Sequence, residues 1–111
     1  MESGNQEGLV IAAQLLGRVH LVGGQFEPAI RYAREAISYN RTVRSPSREA
    51  LARALLAEAL GSSGDSTAAR DEMQVAARLA EQSGDSLVID QIEESARNLG
   101  DKDGDLDGKS A

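Results

Sequence analysis

Residues 11–24 read IAAQLLGRVHLVGG, and 40 places further on residues 51–64 read LARALLAEALGSSG. Laid over one another, Ala12 meets Ala52, Leu15 meets Leu55, Leu16 meets Leu56 and Gly24 meets Gly64. The match runs on through the turn, with Ala29 on Ala69 and Ala36 on Ala76, while Ile11/Leu51, Val19/Ala59, Ala33/Met73 and Ile37/Ala77 keep apolar or small character. An alanine-rich chain produces some of these pairs by chance, but glycines in phase with them mark an internal repeat.

Each unit reads as two helices around its glycine. Leu9, Ala12, Ala13, Leu16 and Val19 recur at three-to-four spacing, as one buried face of a helix requires. Gly23-Gly24 then stops the helix, because glycine enters the left-handed region without a Cβ penalty. Phe26 and Pro28 open a second helix to about Asn40, with Ala29, Ile30, Ala33, Ala36 and Ile37 as its inner stripe. The second unit starts at Ser45-Pro46, an N-cap followed by proline in the first turn. Leu51, Leu55, Leu56, Ala59 and Leu60 line its first helix, which ends over Gly61–Gly64. Asp65 or Ser66 caps the next, whose inner face is Ala69, Met73, Ala76, Ala77 and Ala80 up to Gly84. A fifth helix over 86–99 sets Val88, Ile89, Ile92 and Ala96 against Asp90, Glu93, Glu94 and Arg97, as a closing helix does. Alanine at 29, 36, 69 and 76 lets helix backbones approach closely.

The expected organisation is therefore all-α: a flexible N-terminus over 1–8, a helical domain over 9–100 with repeats at 9–40 and 46–83 and a capping helix at 86–99, and a disordered acidic tail over 101–111. The composition break at Gly100 is sharp. Residues 101–111 hold four aspartates and both lysines, whereas every earlier cationic side chain is arginine.

At 111 residues with 41% hydrophobic content the chain suits one domain. No run approaches the roughly 20 apolar residues of a membrane helix, and the opening MESGNQEG has no basic segment leading into an apolar one, so a cytoplasmic location is expected. With no cysteine and one histidine, thiol chemistry and histidine clusters are excluded, and neither a cofactor nor an enzymatic activity is expected. The net charge of −6 argues against a nucleic-acid binder.

Leu16-Gly17, His20 in an aromatic slot, Gly24, Phe26, Ala29 and Ala36 resemble the tetratricopeptide repeat (TPR), at that family's spacing. In the second unit Leu56, Gly64, Ala69 and Ala76 fit, with Ala57, Leu60 and Ser66 in place of a glycine and two aromatics. Ala13 and Arg53 stand where the family has tryptophan, and the period is 40 rather than about 34, the surplus lying in the 40–47 connector. HEAT-like helix pairs share that length. The resemblance covers about residues 9–84 and is similar to long-period arrays in bacterial multidomain regulators. It implies a right-handed superhelical stack of two antiparallel helix-turn-helix repeats plus the C-terminal cap, whose concave face receives a peptide or partner protein in a regulatory setting. Carried over by register, that face is Gln14, Arg18 and Leu21 from the first unit and Ala54, Glu58 and Ser62 from the second. It lacks the lysine and asparagine with which relatives grip a terminal carboxylate. Arg18 and Glu58 either orient the partner, are merely solvated, or pair with each other across the groove.

Two repeats form a short stack with exposed apolar ends, so self-association to a homodimer is the alternative. Arg31, Arg34, Arg41, Arg44, Arg48 and Arg53 share the stretch 31–53 with only Glu35 and Glu49, which suits an anion or nucleic-acid contact aided by Tyr32 and Tyr39, although helical spacing spreads them over several faces. Asp103-Gly-Asp105-Leu-Asp107-Gly108 reproduces the opening of an EF-hand loop, but the glutamate due six places after Gly108 is not in the sequence, and a solvated tail is expected. His20 has no neighbouring nucleophile or carboxylate in sequence and is read as packing. The glycine pairs lack the lysine of a phosphate loop and are read as turns.

Overall fold

The computed structural model describes the backbone of residues 2–110 and the side chains of residues 8–100. The fold is all-α: α1 (Glu2–Val22), α2 (Phe26–Thr42), α3 (Pro46–Ser62), α4 (Ser66–Ser83) and α5 (Ser86–Ser110). α1 and α5 extend beyond the expected 9 and 99, into the termini read as flexible; the side chains there, including the EF-hand-like run, lie outside the described residues.

The 40-residue register survives in the backbone. α2 and α4 start 40 residues apart at Phe26 and Ser66, and α1 and α3 end 40 apart at Val22 and Ser62. Their turns close the same way: Gln25 N–H donates to His20 C=O at 2.7 Å, and Asp65 N–H donates to Leu60 C=O at 2.9 Å. Such a closure needs a left-handed residue just past the helix, and Gly24 (φ 80°) and Gly64 (φ 105°) supply it. Gly84 (φ 70°) does the same after α4, but its counterpart 40 residues earlier is Arg44, held at φ 58°. Asp65 caps α4 by accepting from Ala68 N–H at 3.1 Å, whereas Ser45 stands at the N-cap of α3 with no side-chain capping bond.

α3 is the centre of the molecule. It packs against α4 and α2 most extensively, and against α5 and α1 at its flanks. A helix with neighbours on most of its faces has to be apolar on those faces. Accordingly Ala50, Ala52, Ala54 and Ala57 are buried together with Leu55, Leu56, Ala59 and Leu60. Ala29, Ala33 and Ala36 of α2 and Ala69, Ala76 and Ala80 of α4 are likewise buried, and their small side chains permit the close helix contacts. Gly17 shows how tight these are: a Cβ there would sit 2.9 Å from Leu55 Cδ2 and 3.3 Å from Tyr32 Cβ.

Some positions differ from the sequence expectation. Ala77 and Ala96 are exposed, and α5 buries Ser95 and Leu99 alongside the expected Val88 and Ile92. The larger difference is α1. Of its expected inner residues only Ala13 is buried, while Leu9, Leu16 and Val19 face solvent, because no helix lies on the outer side of α1 as α1 and α2 lie on α3. Among the described residues no helix is long and apolar enough to cross a membrane.

Candidate functional site: the groove across α1, α3 and α5

A groove of about 350 Å³ opens where the odd-numbered helices run side by side. Its floor follows the repeat register. Ile11, Leu51 and Gln91 stand 40 residues apart on α1, α3 and α5, and so do Leu15, Leu55 and Ser95. Gln14, Arg18, Arg48 and Ala54 complete the lining. The result is an aliphatic floor with amides at its sides and two guanidinium groups at its rim.

The expected groove residues fall into three groups. Gln14, Arg18 and Ala54 line the groove, although Ala54 is 2% exposed and contributes floor rather than contact surface. Glu58 joins through Arg18: the Arg18 guanidinium donates to Glu58 Oε1 at 2.9 Å and ties α1 to α3. The two side chains are thus paired across the groove. Leu21 and Ser62 are half-buried beyond its end and do not line it. The aliphatic floor and the contribution of α5 escaped the sequence reading, which stopped the 40-residue shift at the second unit; one more step takes Leu51 to Gln91 and Leu55 to Ser95.

The single histidine is engaged in packing. The His20 ring stacks on Tyr32 with centroids 5.6 Å apart and planes 13° apart, and its Nδ1 pairs with Gln25 Oε1. The Arg31 guanidinium lies 5.8 Å from the other aromatic partner, the Tyr32 ring centroid.

The arginine-rich stretch lies elsewhere. A broader depression of about 520 Å³ between α2, α3 and α4 is lined by Arg34, Arg41, Arg53, Ile37, Leu56 and Glu72. Its deepest cation is already answered: Arg53 Nε donates to Glu49 at 2.8 Å and Nη1 to Glu72 at 2.7 Å. Burial lowers the Arg53 pKa, but these two hydrogen bonds and the carboxylate charges outweigh it, and the net shift is upward. A bridge between two acids on α3 and α4 serves cohesion better than anion capture. Among the described residues no group of three His, Asp or Glu side chains is placed to hold a metal ion.

No family model, no curated protein and no solved structure matches this chain.

Proposed function

We propose that the chain is a non-catalytic, TPR-like interaction module of the cytoplasm, with the right-handed stacking of that family, which takes an apolar segment of a partner protein into the α1–α3–α5 groove. The observation that carries the reading is the groove floor itself, where Ile11 and Leu15 of α1 meet Leu51 and Leu55 of α3, with Gln91 and Ser95 at the equivalent positions of α5. Aliphatic floors of this kind gain affinity by losing water, while a few polar groups fix the ligand's direction. At about 350 Å³ the groove accommodates side chains from one short segment rather than a folded domain. Arg18 and Arg48 at the rim favour an acidic residue beside the apolar anchors. Such a residue would compete with Glu58 for Arg18, so binding exchanges one ion pair for another.

The test is selection of peptides from a random display library on the purified chain, followed by measurement of each binder against Leu51→Glu. Half-buried Leu51 lines the groove, and a carboxylate there removes the apolar floor. The reading expects selected peptides rich in aliphatic and acidic residues, with affinity for the variant at least about tenfold lower, equivalent to some 1.4 kcal/mol. Peptides that bind the variant equally well would place the site elsewhere.

A further inference from the structure

The outer face of α1 is the least expected surface of the molecule. Ala52, Leu56 and Ala59 of α3 are 0%, 1% and 0% exposed; their counterparts 40 residues earlier are exposed Ala12, Leu16 at 43% and Val19 at 65%. Leu9, 68% exposed, extends the same stripe by one turn. At 3.6 residues per turn these four positions fall within an arc of roughly 80°. The polar side chains of this part of the helix, Gln14, Arg18 and His20, project outside it. In the second repeat the equivalent positions are covered by helices of the first. The fold itself therefore shows what this type of face packs against: another helix.

We propose that this face binds the same face of a second copy, giving a two-fold symmetric dimer in which the two α1 helices pack antiparallel. Three observations select a second copy. The stripe is self-complementary in spacing, since Leu9 and Val19, and Ala12 and Leu16, lie symmetrically about residue 14. An antiparallel neighbour thus sets Leu9 beside the second copy's Val19, and the small Ala12 beside its Leu16. At the opposite end α5 buries Val88, Ile92, Ser95 and Leu99 and, among the described residues, turns Asp90, Glu93, Glu94 and Arg97 to solvent beside exposed Leu87. Head-to-tail stacking would set the apolar stripe of α1 against these charges, which disfavours it and leaves the closed, isologous arrangement. Finally, the stripe is short, as suits a weak, reversible pairing of two copies rather than an obligate dimer. The stripe has no ionisable side chain, so two chains of net charge −6 meet there without opposing carboxylates at the contact. The groove opens on a different side of α1, through Ile11 and Leu15, and remains accessible in the dimer.

The experiment is sedimentation equilibrium of the full chain over about 5–500 µM, a range matched to an interface of this size. The wild-type mass is expected to rise from 11.7 kDa towards twice that value. Leu16→Glu, which leaves helix content unchanged in far-UV circular dichroism because Leu16 is solvent-facing, is expected to weaken the dimer at least about 30-fold. Val19→Ser serves if that variant misfolds, and Leu87→Ser, at an exposed leucine on α5, should dimerise like wild type. A wild-type chain that stays monomeric throughout, or a dimer indifferent to both α1 substitutions, overturns the proposal.

Discussion

Replacing Leu56 by alanine, and in a separate chain replacing its repeat counterpart Leu16, applies one chemical change at two positions that the sequence treats as equivalent. The structure treats them differently. Leu56 is 1% exposed and lies between α2, α3 and α4, whereas Leu16 is 43% exposed on the outside of α1. Removing the buried atoms beyond Cβ of Leu56 forfeits about 0.8 kcal/mol per carbon, and the cavity left behind adds to that, for a total of about 3 kcal/mol. At Leu16 roughly half of the transfer is already absent and no closed cavity forms, so the cost is about 1 kcal/mol or less. Urea denaturation followed by circular dichroism at 222 nm reads the difference directly. With a slope near 1.5 kcal/mol/M, the midpoint should fall by about 2 M for Leu56→Ala and by under about 0.7 M for Leu16→Ala. Working at a few micromolar keeps association through α1 from contributing. Equal losses at the two positions would mean that the outer face of α1 is covered in the monomer, and would refute the packing described for it.

Two further predictions follow from local geometry. Arg44 occupies a left-handed position that Gly84 fills 40 residues later, so Arg44→Gly relieves strain of about 1–2 kcal/mol against a smaller entropic loss in the unfolded chain; a thermal midpoint raised by about 2–5 °C is expected, and a lowered one contradicts it. Arg53→Ala leaves Glu49 and Glu72 without their shared cation and should cost about 1–2 kcal/mol in the same denaturation assay. Because the Arg53 pKa is raised on folding, its contribution is complete below the unfolded value and is lost only as pH climbs through the folded one, both far into alkaline solution. The gap between wild type and variant should accordingly stay constant between about pH 6 and pH 9.

The helices were legible because turn chemistry and periodicity agreed: Gly24, Gly64 and Gly84 end their helices, and Pro46 starts α3 where expected. Register placed Arg18 and Glu58 at equivalent positions and so made their pairing one of the open readings; the structure shows the pair formed. What periodicity cannot supply is whether a neighbour exists to cover a face. Leu9, Leu16 and Val19 carry the same pattern as a buried stripe, yet lie at an open end of the stack. On α5, Ser95 is buried and Ala96 exposed because helix packing selects the 88, 92, 95, 99 row, a choice that hydrophobicity alone assigns to Ala96. The groove residues Gln91 and Ser95 were missed for a related reason. A polar side chain on a closing helix gives no signal until the repeat register brings it beside Leu51 and Leu55.

The measurement closest to the central claim is a chemical-shift map of the isotopically labelled chain titrated with a peptide selected on it. The account predicts that backbone amides near Ile11, Leu15, Leu51, Gln91 and Ser95 move together and saturate with one affinity, while those at Leu9 and Val19 on the outer face of α1 do not respond. Shifts confined to the α2–α4 depression around Arg34 and Arg41, with the groove silent, would contradict it.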